Sequence, residues 1–271
     1  MRINTTLVIN SKGGSGKTTL TTNLASYFAA RNIPTTIMDY DPQGSCLNWL
    51  RLRPAHATRI HGANAAHQRG GRLRSVEMHV PAETRQLIID APAGASGLLL
   101  QEMLARAHCI LIPVAPSVID IHATANFIRD LLLAGKIRAR DARLAVLANR
   151  VRSSMPVYQP LERFLSSLSL AFLTRLGDSD LYVKAAETGV GIFELDASMS
   201  AAERQAFMPI VEWVDGEQKP RADAKVIELA APAGTKAAAA AATGSKGTAA
   251  PVRASPRPAF SWIHSWARPG R

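Results

Sequence analysis

Eight consecutive residues near the start of the chain, Lys12-Gly13-Gly14-Ser15-Gly16-Lys17-Thr18-Thr19, combine two lysines, three glycines and three hydroxyl side chains. Glycines adopt backbone conformations closed to other residues, so such a loop can turn several N–H groups toward one anion. A lysine at the end of the loop reaches the β- and γ-phosphates of a nucleotide, and the hydroxyl after it can ligate Mg²⁺. Lys17 and Thr18 occupy those positions, and Gly13, Gly14, Ser15, Gly16 and Thr19 complete the cradle. Carboxylates follow at two places, Asp39 and Asp41 in Asp39-Tyr40-Asp41-Pro42-Gln43-Gly44, and Asp90 in Ile88-Ile89-Asp90-Ala91-Pro92. An anion cradle, metal-holding oxygens and a carboxylate near the reacting phosphate are what phosphoryl transfer needs from a protein.

These residues require particular elements around them. Leu7-Val8-Ile9 reads as a buried strand that delivers the chain into the glycine loop. Leu20, Leu24, Tyr27 and Phe28 then recur at helical spacing, and that helix should stop near Arg31-Asn32, ahead of Pro34. Thr35-Thr36-Ile37-Met38 reads as a second strand and Gln86-Leu87-Ile88-Ile89 as a third, so Asp39 and Asp90 both stand at strand carboxyl ends. That is where open α/β sheets bind ligands. The acidic stretch after Met38 also reads as a turn that caps a helix, with Pro42 at its first position. Helices are expected near 46–50, 98–107, 119–134, 160–168, 178–187 and 200–214. Strands are expected at 109–115, 143–151 and 171–176, with Pro113 an awkward guest in the first of them. Residues 75–80 alternate polar and apolar like an edge strand. Strands alternating with helices predict a doubly wound, mostly parallel α/β domain over residues 1–216.

The general phosphate-loop pattern G-x-x-x-x-G-K-[ST] begins with glycine, and Ser11 stands there in this chain. The sequence instead reads K-G-G-S-G-K-T from Lys12, which resembles the deviant Walker A motif of the ParA/MinD family of ATPases. Asp39–Gly44 is similar to the D-x-D-P-Q-G of that family, and Asp90 stands at its Walker B place. The segment after Asp90 departs from the family's D-x-P-P-x, since only Pro92 matches. The likeness spans roughly residues 5–215 and implies a P-loop fold with ATP and Mg²⁺ as cofactors. By it, Lys12 crosses a homodimer to the partner's nucleotide, Lys17 serves its own phosphates, and Asp41 orients the attacking water. Thr18, Asp39 and Asp90 attend the metal. Asn149, at the end of the fifth strand, is the candidate for the adenine, or else a turn-forming asparagine. Arg150, Arg152, Arg175 and Lys184 lie where partition relatives contact nonspecific DNA.

Composition sets the remaining bounds. The chain has 271 residues, 47% of them hydrophobic, which suffices for one sizeable core. Its two cysteines, Cys46 and Cys109, lie far apart in or beside apolar segments and read as packing residues, which fits a reducing cytoplasm. Net charge is +11, and residues 217–271 hold nine Lys/Arg against three Asp/Glu. Such a balance suits a polyanion, and the Ala/Pro-rich tail reads as a disordered basic extension. It ends in an aromatic segment, 260–266, that suits a docking peptide or a short interfacial anchor. The resulting expectation is a nucleoid-associated, weak ATPase stimulated by an adaptor protein. It would position a plasmid, a chromosome region or a protein assembly. The alternatives are a membrane-associated positioning ATPase of the MinD type and a metabolic ATP-dependent synthetase.

Overall fold

Four apolar runs, 7–9, 87–89, 110–112 and 145–148, are too rich in β-branched and aliphatic residues to leave either face in water. In the computed structural model, which describes residues 3–66, 74–133, 142–152 and 170–216, they become the central strands of one parallel sheet. The strands are β1 (Asn4–Val8), β2 (Thr35–Asp39), β3 (His61–Asn64), β4 (Gln86–Asp90), β5 (Cys109–Val114), β6 (Arg143–Val151) and β7 (Ala171–Gly177). Their order across the sheet is β3-β2-β4-β1-β5-β6-β7, with every neighbouring pair parallel. The chain builds outward from β1 in one direction, returns through β4, and crosses to β5 on the other flank. A crevice opens at that reversal, at the carboxyl ends of the strands.

The period of two in each strand divides the core between the two faces. Leu7, Leu87, Ile89, Ile110, Ile112, Val146 and Ala148 face one layer, together with Met103, Leu104, Phe127, Ile128 and Leu131. These last come from α4 (Gly97–Arg106) and α5 (Val118–Leu133). Val8, Ile37, Ile88, Leu111, Ala145 and Leu147 face the other layer, against Leu20, Leu24, Phe28, Phe207, Ile210 and Val211. The helices on that side are α1 (Lys17–Ala30), α2 (Ser45–Leu52), α6 (Asp180–Glu187) and α7 (Ala201–Asp215).

Pro113 is accommodated because β1 stops pairing with β5 at Leu111. The Pro113 carbonyl on that vacated edge accepts from the Asn10 side chain at 2.7 Å, so no ladder donor is missed. One expectation fails. Residues 75–80 form no strand; Arg74–Glu77 make a single helical turn, α3. The edge strand is β3, a His-Gly-Ala-Asn segment of low strand propensity. Its Gly62 explains the choice: a Cβ there would come within 2.7 Å of Leu50 Cδ1 and 2.9 Å of Leu47 Cδ2. The strand is selected by the room it leaves for α2 rather than by its own propensity. The acidic turn also differs in detail, since α2 begins at Ser45 and not at Pro42. All the described residues belong to one compact unit, Met1–Arg221. The helix expected at 160–168, the basic tail and its aromatic end lie outside the described residues.

Candidate nucleotide site

The glycine loop leaves β1 and enters α1 through Gly16, whose φ of 90° is a left-handed value that favours glycine. A Cβ at Gly16 would also come to 1.9 Å from Asn149 Nδ2. That amide crosses from the end of β6 to donate to the Ser15 carbonyl at 2.9 Å. Asn149 is thus tied to the loop backbone in this structure. The α1 N-terminus has no side-chain cap and no acidic residue in its first turn. Its N–H groups and dipole are left for an anion.

The loop's own polar groups fold it. Asn10, buried at the end of β1, accepts the Lys12 N–H at 3.1 Å. Its amide donates to Pro113 O and to Thr124 Oγ1 at 3.1 Å, tying the loop to β5 and α5. The two lysines part company. Lys17 is buried and turns back to donate to the Lys12 carbonyl at 3.0 Å. Burial holds its ammonium below the usual lysine range, against the opposing pull of Asp90 and Asp41. The Lys12 side chain is 40% exposed, and its ammonium lies 3.8 Å from Asp120 Oδ1 in the first turn of α5.

Parallel pairing of β2 with β4 sets Asp39 directly beside Asp90, and both are buried. Asp90 Oδ2 accepts the Thr18 hydroxyl at 2.8 Å and the Cys46 thiol at 3.2 Å, and Oδ1 accepts the Thr21 hydroxyl at 3.4 Å. Burial pushes the Asp90 carboxyl up to about 7; the Thr18 and Cys46 hydrogen bonds oppose the shift, Asp39 adds to it, and Lys17 opposes it. Asp39 holds its loop: Oδ1 accepts the Asp41 N–H at 2.9 Å, and Oδ2 accepts those of Cys46 at 3.0 Å and Leu47 at 3.3 Å. It therefore caps the first turn of α2 from a distance. Burial raises its carboxyl despite these three bonds. Asp41 is only partly buried and accepts the Gln43 N–H at 2.9 Å.

A hard divalent cation fits this corner. The available donors are oxygens, from Thr18, Asp39 and Asp90, and burial is the main cause that raises both carboxyls, a cost that a bound cation would offset. The segment after Asp90 stays coupled to the glycine loop, because the Gly94 N–H donates to Ser11 O at 2.9 Å.

The basic candidates lie beyond the phosphate cradle. Arg150 and Arg152, at the end of β6, are 61% and 64% exposed and share Asp178, at 3.5 and 2.6 Å. Arg175 on β7 and Lys184 on α6 are exposed as well. Four contributors escaped the sequence reading: Asn10, Cys46, Thr21 and Asp120. Asn10 alone left a signal, as a polar residue directly after an apolar strand.

A family model described as the CobQ/CobB/MinD/ParA nucleotide binding domain matches residues 6–192. The maintenance of carboxysome distribution protein A of Halothiobacillus neapolitanus is 25% identical over 202 residues, 73% of this chain and 91% of its own length. Among solved structures, an Asp-to-Ala variant of Cyanothece McdA in complex with ATP superposes with a TM-score of 0.59 at 14% identity, covering 79% of this chain and 96% of that one. The septum site-determining protein MinD of Pyrococcus horikoshii, complexed with Mg-ADP, gives 0.58 at 15% identity, over 79% and 97%. The match over residues 6–192, on a chain that carries a glycine loop, two strand-end carboxylates and a parallel sheet, places it in the CobQ/CobB/MinD/ParA nucleotide-binding domain family.

Proposed function

We propose that the protein is a dimerising ATPase that binds ATP with Mg²⁺, attaches to nonspecific DNA in that state, and positions a cargo such as a plasmid, a chromosome region or a protein assembly. The observation that carries this reading is the division of labour between the two loop lysines. Lys17 is folded onto its own loop, whereas Lys12 stands partly exposed, its ammonium 3.8 Å from Asp120 Oδ1. A second lysine turned outward from a phosphate cradle suits a nucleotide held by a second copy.

In this reading Lys17 and the α1 N-terminus bind the β- and γ-phosphates, and Gly13, Gly14, Ser15, Gly16 and Thr19 enclose them. Thr18, Asp90 and Asp39 would hold Mg²⁺, which when bound would neutralise charge on the phosphates. Asp41, partly buried in the loop braced by Asp39, orients the attacking water. Asn149 steadies the loop and borders the base. Lys12 of each copy crosses to the other's phosphates, so ATP joins the two chains. Little covalent chemistry falls to the protein, so unassisted turnover is slow and an adaptor protein accelerates it. Arg150, Arg152, Arg175 and Lys184 supply phosphate contacts of the sequence-independent kind, with the basic tail as an auxiliary. The carboxysome-distribution relative supports a positioning role, and a protein assembly is one cargo that fits it.

Sedimentation velocity tests the switch. The protein is expected to run as a monomer without nucleotide and with ADP, and as a dimer with Mg²⁺ and ATP. Lys12→Ala is expected to weaken the ATP-bound dimer at least about tenfold, or roughly 1.4 kcal/mol. A Lys12→Ala protein that dimerises as wild type does would overturn the assignment.

A further inference from the structure

Cys46 is a cysteine with no role in either motif, yet it touches both buried carboxylates. It is the second residue of α2 and is fully buried. Its backbone N–H donates to Asp39 Oδ2 at 3.0 Å, and its thiol donates to Asp90 Oδ2 at 3.2 Å. Asp39 in turn holds the Asp41 N–H. One residue therefore joins the loop that carries Asp41, on one strand end, to Asp90 on the next.

The geometry has a consequence for the metal corner. Asp90 Oδ2 takes two donors, Thr18 Oγ1 and Cys46 Sγ, from two elements, α1 and α2. A threonine hydroxyl can give a lone pair to a cation while its O–H still donates to a carboxylate, so the Thr18–Asp90 bond is compatible with a bound metal. Its direction then depends on which way the Asp90 carboxylate is rotated. Thr21 holds the other oxygen only weakly, at 3.4 Å. The thiol supplies the remaining restraint. A thiol is too soft to be a preferred ligand of Mg²⁺, so its natural part here is donor rather than ligand.

We infer that Cys46 is a positioning residue: its thiol fixes the rotation of Asp90 while its amide fixes Asp39, so that the metal corner and the Asp41 loop are held in one register. This rests on the nucleotide site proposed above and deepens it. Partners behind metal-binding groups commonly change metal affinity by an order of magnitude or more when removed.

The test measures ATP affinity of the full chain as a function of Mg²⁺ concentration, for wild type, Cys46→Ala, Cys46→Val and Cys46→Ser. Alanine and valine both remove the donor, and valine keeps most of the volume. Both are expected to raise the Mg²⁺ concentration needed for the half-maximal effect by about tenfold. Serine keeps a donor and is expected to recover most of the loss, an outcome a purely packing role would not give. A second readout does not require the variants to be stable in solution for long titrations. The S–H stretching band of Cys46, identified by its absence in Cys46→Ser, is expected to lie below that of a free thiol and to move when Mg²⁺ and ATP are added. Wild-type Mg²⁺ dependence in Cys46→Val, serine behaving as alanine does, or an S–H band indifferent to Mg²⁺ would each overturn the inference alone. A wild-type protein whose ATP affinity ignores Mg²⁺ would instead overturn the nucleotide site and this inference together.

Discussion

Asp90 shows how much a single buried carboxylate controls. In an unfolded chain it would titrate near 3.8, and burial in the fold brings it to about 7. The groups that face it are Asp39, which strengthens the shift, and Thr18, Cys46 and Lys17, which oppose it. A carboxyl whose pKa is raised on folding favours the folded state while protonated. Its contribution is complete below about pH 3.8, falls as pH rises toward 7, and is gone above that. Mg²⁺ held at this corner as proposed would bind the ionised form, so it would restore what ionisation removes and would have to displace a proton when added below pH 7. The rise in melting temperature on adding Mg²⁺ and ADP is therefore expected to be larger near pH 8 than near pH 6. Differential scanning fluorimetry at the two pH values checks this, and an equal or reversed increment would contradict it. At this scale the sequence was legible as positions: the motifs single out Lys12, Lys17, Thr18, Asp39, Asp41 and Asp90, and the fold gathers Lys17, Thr18, Asp39 and Asp90 at one corner. Cys46 and Asn10 were not legible as site residues. Their partners Asp90, Pro113 and Thr124 lie far along the chain, and only the fold brings them near.

Elements are held in register by a few buried polar contacts, of which Arg53 makes four. Following the last turn of α2, it pairs in bidentate fashion with Glu194 and also donates to Thr58 O and Gly189 O. Both side chains of the pair are nearly enclosed. The pair ties α2 to the segment after α6, which also docks on α1 through Ile192 N–H to Asn23 Oδ1 at 2.8 Å. Removing one member leaves the other charge buried without its counter-charge. Glu194→Ala is expected to cost about 3–5 kcal/mol of folding stability, read from urea denaturation. Arg53→Met with Glu194→Leu together is expected to cost much less. A single-substitution cost below about 1 kcal/mol would contradict the buried-pair account. Legibility at this scale followed periodicity. Apolar runs announced β1, β2, β4, β5 and β6, and the 3.6-residue repeat announced α1 and α7. β3 had no such signature, because Gly62 is required by the leucines of α2 and not by any local preference.

At the scale of the whole molecule, the sheet order brings the carboxyl ends of β1, β2, β4 and β6 to one rim, where cradle, carboxylates and Asn149 meet. The exposed arginines at the ends of β6 and β7 continue that side of the chain. The net charge of +11 gives the protein a general attraction to polyanions, which by itself would not depend on nucleotide. The proposed switch adds that dependence, since joining two copies doubles the number of phosphate contacts available at once and steepens the salt dependence of binding. The measurement that separates a switch from a simple cationic tether is binding to nonspecific duplex DNA with ATP, with ADP and without nucleotide, for wild type and Lys12→Ala. The account predicts tight, salt-sensitive binding only for wild type with Mg²⁺ and ATP. Binding of equal strength in all three nucleotide conditions, or unchanged in Lys12→Ala, would contradict it.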